Sequence, residues 1–560
     1  MKIDTGRTDV PSLMSAYNAV NYTPSSANPF LLTTLLRETF GFTGFVVSDC
    51  GAIDNIERQQ RWRPTRNTVQ KGNYRIDAGR KLADYVDDDG VVTKPGSVAM
   101  ALMAGCNMDC NGDIYPKQSR IAHKEGLLGE NVISLNAYHN LLARFKLGEF
   151  DPYESVAYRG DKYTFANTVE TAAHRALADE AAARSVVLLK NDDDILPLNA
   201  KKLRRLVIVG EAADVCFLGN YCGKPKEKNC ISVYAGISDY LYVNNPRTEL
   251  KLVTTFGEDG AIRDEDKAAI EAADAVLVMC ADQHDDSSEG HDREVLRLFR
   301  SQAEIARNVA AINPDTIVFL QTSNVVELDL FKDRVKAIFW SSQNGQGQGV
   351  GVARQIFGET NPSGKLTFSW YAKESEIPGI RQYGLKEKFL PEETAYPHGG
   401  YTYQYFTGKV DYPFGFGLSY TTYAYKNVRV DKTAADANDR LTVSVDVTNT
   451  GRRAGSEVVQ VYVVYPRGRG LPAKQIKGFA KVDLKPGETK TATVKVDLAD
   501  CCFWDGAKRV VPNGTYEIEV GASSVDIKGR AQVKVTGALA KTVNVVTAKP
   551  SDVSVAVGRT

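Results

Sequence analysis

Short apolar runs alternate with helical patterns over residues 1–150. Ser12–Tyr17 (SLMSAY) predicts a buried strand. Asn28–Phe40 (NPFLLTTLLRETF) predicts an amphipathic helix, with Asn28 near its N-cap and Pro29 in the first turn. Gly44–Ser48 (GFVVS) predicts a second buried strand, Val98–Ala104 a helix, and Cys106–Cys110 a third short strand. Strands alternating with helices imply a parallel sheet covered on both faces. Three strands are too few for a closed eight-stranded barrel, which needs about 250 residues.

Residues 165–195 carry a long helical pattern ending in VVLLKN. A second α/β block follows. LVIVG (206–210), AVLVMCA (275–281), TIVFLQ (316–321) and KAIFW (336–340) are strand-like, with helical patterns such as Asp264–Ala273 and Glu294–Ile312 between them. The block closes near the turn signals of NPSGKLTFSWY (361–371). Residues 372–425 are rich in Tyr, Gly and Pro and predict a connector with little regular structure. From residue 430 the period changes to two, in LTVSVDVTNTG, EVVQVYVVYP, KTATVKVDL and GTYEIEVGAS. Strands of this kind separated by turn signals predict a β-sandwich of about 110 residues. The tail after 540 is β-prone and polar.

Composition narrows the function classes. A chain of 560 residues predicts about three or four domains. Lys+Arg and Asp+Glu both total 69, so no basic excess points to nucleic acid. No run of about 18 apolar residues predicts a membrane span. The opening MKIDTGRTDVPS has no apolar core of the kind a secretory signal needs. The nine cysteines form no disulfide scaffold and no paired Cys-x-x-Cys motifs. Cys216, Cys222 and Cys230 are either separate small thiols or include a disulfide.

Two segments carry candidate chemistry. Asp49 directly follows the strand GFVVS, where α/β folds place reactive groups; a turn or N-cap aspartate is the structural alternative. The segment 282–293 (DQHDDSSEGHDR) follows AVLVMCA and holds five carboxylates, two histidines and an arginine. Glycoside hydrolysis needs two carboxyl groups, which Asp49 and one member of this loop can supply. A metal site and a solvated charged loop are the other readings of the same segment. Gly345-Gln-Gly-Gln-Gly349 lacks the Lys-Ser/Thr of a phosphate loop, so tight helix packing against the preceding strand is the expected reason for its glycines. Tyr17, Trp340, Trp370, Tyr401, Tyr403 and Tyr405 can stack on sugar rings or serve as core.

Taken in order, the motifs resemble glycoside hydrolase family 3, the β-glucosidase and β-xylosidase family. SLMSAYNAVN with NPFLLTTLLRETFGFTGFVVSDCGAI is similar to its nucleophile region, and ALMAGCNMDC with LARFKLGEFDP to the end of its barrel. ARSVVLLKNDDDILPL and FLGNYCGKP resemble the start of its second domain, and SSEGHDREVLRL its acid/base loop. NGQGQGVGVARQIFGETNPSGKLTFSWY, YPFGFGLSYTTYAY, VTNTGRRAGSEVVQVYV and NGTYEIEVGASS resemble its later signatures and its fibronectin-III-like domain.

The resemblance implies an α/β multidomain chain: the C-terminal part of a (β/α)8 barrel, an α/β sandwich domain and a fibronectin-III-like β-sandwich. It places the barrel portion at 1–160, a helical linker at 161–205 and the α/β sandwich at 206–371. An irregular connector at 372–428, the β-sandwich at 429–540 and a tail at 541–560 complete it. It implies a retaining, exo-acting β-glycosidase with Asp49 as nucleophile, Glu289 as acid/base and Tyr17 at the nucleophile or sugar ring. Such carboxyl groups stand about 5–5.5 Å apart. Asp292 and Arg293 would shape the loop. The implied substrate is an oligosaccharide or β-glycoside ending in glucose or xylose, with no metal or organic cofactor, no nucleic acid and no membrane. Cys50 after the nucleophile, where many family β-glucosidases carry Trp, resembles the xylosidase branch.

In the family the nucleophile lies far deeper in the chain, so most of the preceding barrel, with its sugar-holding Asp, Arg and Lys-His contacts, is expected to be missing. A truncated gene model, a gene fragment or a partner chain supplying the other barrel half would each account for that. The alternative function is a non-catalytic fragment that binds sugar or a partner. A periplasmic or secreted setting is expected if a signal precedes residue 1.

Overall fold

The computed structural model describes residues 10–65, 80–110, 112–159, 163–283, 286–378, 400–466, 471–505 and 508–539. They fall into two compact units, one within Met1–Phe165 and one within Ala166–Ala540. The tail expected after 540 lies outside the described residues.

In the first unit, strand β1 (Ser12–Met14) pairs in parallel with β2 (Phe45–Val47), Leu13 opposite Val46. The expected third strand is reduced to one parallel bridge between Val47 and Met108. β1 is shorter than the sequence predicts and is not fully buried: Met14 is 62% exposed. Among the described residues this strand is paired on one side only. Helix α1 (Phe30–Thr39) is π-helical, not α-helical; the Phe40 amide donates to the Leu35 carbonyl five residues back at 3.0 Å. Asn28 still caps its start, accepting from the Leu31 amide at 3.3 Å. Helices α2 (Ala52–Arg58) and α3 (Lys94–Ala104) bury Ile53, Ile56, Val98 and Met100 with Val46 of β2.

The second unit is built on a six-stranded sheet. Its strands are β3 (Val187–Asn191), β4 (Arg205–Val209), β5 (Glu249–Val253), β6 (Ala275–Ala281), β7 (Thr316–Gln321) and β8 (Ala337–Ser341). The order is β3-β8-β7-β6-β4-β5, parallel except for β3 against β8. The helical pattern expected through 195 stops at Ser185, the end of helix α4 (Ala172–Ser185). The following VLLKN is an edge strand instead. An apolar run buried on both faces has no alternation to distinguish it from a helix.

Helices α5 (Val233–Asn244), α6 (Gln302–Ile312) and α7 (Gln348–Ile356) cover the sheet. In β6, Val276, Val278 and Cys280 enter one core while Leu277 and Met279 enter the other. Each such Val or Leu contributes about 1.5–3 kcal/mol by leaving water. The strand order reverses at β4, which has β5 on one side and β6 on the other. In open α/β sheets the crevice beyond the carboxyl ends at such a reversal is where ligands bind.

The C-terminal part is a sandwich of a three-stranded and a five-stranded sheet. Arg440–Asn449 shows the expected period of two: Leu441, Val443, Val445 and Val447 are buried and share one core with Val459, Val461, Ile518 and Val533.

Candidate functional site

Asp49 stands two residues beyond β2 and just before α2. Backbone bonds determine its position. Ser48 is fully buried; its amide donates to the Met108 carbonyl at 2.8 Å and its hydroxyl to the Asp49 carbonyl at 2.9 Å. Ser48 Oγ also accepts from the Cys110 amide at 3.1 Å. Gly51, at φ 74°, lets the chain turn directly into α2. The Asp49 carboxylate is half-buried and accepts from the Cys50 amide at 2.7 Å. Tyr17 is 42% exposed, and its hydroxyl donates to the Cys50 carbonyl. The candidate sugar contact therefore stands one residue from the candidate nucleophile in the same unit.

Glu289 sits on the loop after β6, at the strand-order reversal of the second unit. Ser288 and His291 exchange two backbone bonds of 3.0 Å, so Glu289 and Gly290 form the tip of a tight turn. Gly290 has φ 75°, the conformation that makes glycine the favoured residue there. The roots of this loop are fixed by two carboxylate–guanidinium pairs. Asp282 Oδ1 accepts from Arg293 Nη1 at 2.5 Å, with both side chains almost completely buried (2% and 3% exposed). Asp282 Oδ2 accepts from the Ser323 amide at 3.0 Å. Arg293 also donates to the Val295 carbonyl at 2.8 Å and lies over the Phe299 ring. Asp286 accepts from Arg300 Nη1 at 2.7 Å. Burial pushes the Asp286 carboxyl up, but the Arg300 guanidinium and the Gln283 amide outweigh it and hold it below the usual range.

A second loop reaches the same turn. It leaves β4, the strand beside β6, and carries Tyr221, whose hydroxyl donates to the Glu289 carboxylate. Tyr221 is 85% exposed and adopts φ 59°. Sequence reasoning gave Tyr221 no role. The Gly219–Tyr221 triplet inside FLGNYCGKP was its only trace, and nothing local ties it to a residue 68 positions away.

The other candidates separate. His291 and Asp292 are exposed beside Glu289, while His284 and Asp285 lie outside the described residues. Among the described residues, no group of three or more His, Cys, Asp and Glu stands close enough to hold a metal. Trp370 is fully buried, donates to the Val326 carbonyl at 2.7 Å and packs edge-on against Trp340. Tyr403 stacks on Phe414 with ring centroids 4.4 Å apart. Of the glycines of 345–349, Gly347 and Gly349 serve close packing, against the helical layer and not the preceding strand, while Gly345 supplies a φ of 80°. A Cβ on Gly349 would lie 1.8 Å from the Ser232 carbonyl at the start of α5, and one on Gly347 would lie 2.3 Å from Asp179 of α4. A cleft of about 390 Å³ in the first unit is lined by Arg37, Asn107, Asn136 and His139. It belongs to the start of β2, where Arg37 donates to the Gly44 carbonyl at 3.0 Å, and not to Asp49 at the other end.

Three stretches match family domains. Residues 5–110 match the glycosyl hydrolase family 3 N terminal domain, 186–420 the family 3 C-terminal domain, and 457–524 a fibronectin type III-like domain. A β-xylosidase of Formosa agariphila is 30% identical over 534 residues, covering 92% of this chain and 68% of the relative. The probable β-glucosidase L of Aspergillus fumigatus is 30% identical, covering 95% and 72%. The crystal structure of a β-glucosidase from Listeria innocua in complex with glucose is 25% identical with a TM-score of 0.74, covering 94% of this chain and 67% of that one. The chain thus spans about two thirds of the length of these relatives. On its matched domains and these relatives, it belongs to glycosyl hydrolase family 3.

Proposed function

We propose that this protein is a retaining, exo-acting β-glycosidase that removes a terminal β-linked xylose or glucose. Asp49 attacks the anomeric carbon and forms a covalent glycosyl-enzyme. Glu289 protonates the leaving oxygen and then activates the water that releases the sugar. Tyr17, braced on the Cys50 carbonyl, contacts the sugar beside the nucleophile. The mechanism requires the two carboxyl groups about 5–5.5 Å apart when sugar is bound.

The observation that carries this reading is the construction around Glu289. A solvent-facing carboxylate is presented at the tip of a tight turn whose roots are fixed by one buried and one partly buried ion pair. A merely solvated loop needs no such anchoring. Family membership supports the class of substrate: relatives are named β-xylosidase and β-glucosidase, and the Listeria innocua enzyme was solved with glucose.

The test is hydrolysis of 4-nitrophenyl β-xyloside and β-glucoside by the purified chain beside Asp49→Asn and Glu289→Gln. Glu289→Gln should lose about 10²–10⁴-fold, the usual share of general acid–base catalysis. Asp49→Asn should lose more, because no covalent intermediate forms. Absence of turnover from a folded chain would overturn the proposal in favour of a sugar- or partner-binding module.

A further inference from the structure

The loop that brings Tyr221 to Glu289 begins and ends at a thiol. Its feet are joined by two bonds: the Tyr234 amide donates to the Ala213 carbonyl at 2.9 Å, and Ser232 Oγ to Asp214 Oδ1 at 2.6 Å. Both feet also rest on the glycine-rich turn. The Ile231 amide donates to the Gln346 carbonyl at 2.9 Å, and Cys216 Sγ approaches that same carbonyl at 3.9 Å. Gln348 Nε2 donates to the Val215 carbonyl at 3.0 Å, and the Gly349 amide to the Ile231 carbonyl at 3.0 Å. On this base Cys216 Sγ and the amide that directly follows Cys230 converge on one carbonyl, which sets the two cysteines side by side. Cys222, next to Tyr221, is exposed.

We propose that Cys216 and Cys230 are a disulfide-forming site whose oxidation closes the base of the 217–229 loop and holds Tyr221 against Glu289. The consequence for catalysis rests on the acid/base assignment of Glu289; the cross-link itself does not. The oxidant is a low-molecular-weight disulfide such as oxidised glutathione. One protein thiolate attacks it, expelling a glutathione thiolate and leaving a mixed disulfide. The second protein thiol then loses its proton and displaces the remaining glutathione. Two protein thiols give up two protons and two electrons, and one glutathione disulfide becomes two thiols. Burial, with the neighbouring sulfur, pushes the Cys216 thiol up to about 12. It stays protonated at neutral pH, which slows attack through Cys216.

The experiment equilibrates the purified chain with oxidised glutathione or with dithiothreitol, alkylates free thiols, and digests without reduction. Mass spectrometry should find the Cys216 and Cys230 peptides joined and two hydrogens lighter, in the parent and in Cys222→Ser. Hydrogen exchange of the 217–229 amides should slow about tenfold on oxidation. Hydrolysis of the nitrophenyl glycoside should rise several-fold, and neither change should occur in the Cys216→Ser/Cys230→Ser double variant. A chain that keeps both thiols, or pairs either with Cys222, overturns the site. A correct cross-link that alters neither exchange nor turnover overturns its link to Tyr221. A chain inactive in both redox states defeats the glycosidase reading instead, while the mass and exchange results still decide the disulfide.

Discussion

Asp49 and Glu289 each follow a parallel strand, yet they are held by different forces. Asp49 is placed by main-chain bonds around a buried serine, close to the strand that delivers it. Glu289 is eight residues beyond the end of β6, and side-chain ion pairs return its loop to the sheet. The first arrangement depends on backbone that most substitutions leave intact. The second depends on four named charges, so it should respond to acid where the first does not.

The largest expected break is Arg293→Ala. It leaves the Asp282 carboxylate buried without its partner, which costs about 3–5 kcal/mol. Urea denaturation measures it, and a loss below about 1 kcal/mol would show that the pair does not anchor the loop. Next is Ser48→Ala, which strands the Cys110 amide and should cost about 1–3 kcal/mol. Its damage should stay in the first unit, so hydrogen exchange around Glu289 should be unchanged; protection lost there would end the contrast.

A smaller effect is pH-dependent. Asp286 is held below its ordinary range, so it stays ionised in the fold where the unfolded chain would protonate it. Its contribution is complete above about pH 4, the unfolded value, and is lost as pH falls through the lower folded value. Melting curves of the parent and Asp286→Asn should therefore converge on acidification; a constant offset would refute this. The smallest effect is Tyr221→Phe, expected to lower kcat a few-fold with KM little changed, since one exposed hydrogen bond is lost. An unchanged kcat would remove Tyr221 from the site.

What was legible in the sequence follows the same division. GFVVS and AVLVMCA announce buried strands by composition, and the residue after such a strand is a natural place to look, so Asp49 and the 282–293 loop stood out. The period of two in LTVSVDV likewise exposed the sandwich. The anchors of the loop were not legible: partners 11 and 14 residues apart lie far beyond the three- or four-residue reach at which side chains of one helix touch. Tyr221 was hidden because its partner lies on another strand's loop, and adjacency of β4 and β6 is a property of the sheet. The π-helical turn of α1 was hidden because its apolar stripe resembles that of an α-helix.

The interlocked roots of the β6 loop also bear on how such a protein can diversify. Asp282 and Arg293 are best exchanged together, since either alone leaves its partner stranded in the interior. Residues 287–292 lie between the anchors and answer to neither. Around Glu289 they behave as a cassette: the flanking residues can change identity over generations while the sheet below keeps its architecture. The positions that flank Glu289 and Gly290 can thus drift without putting the fold under selection.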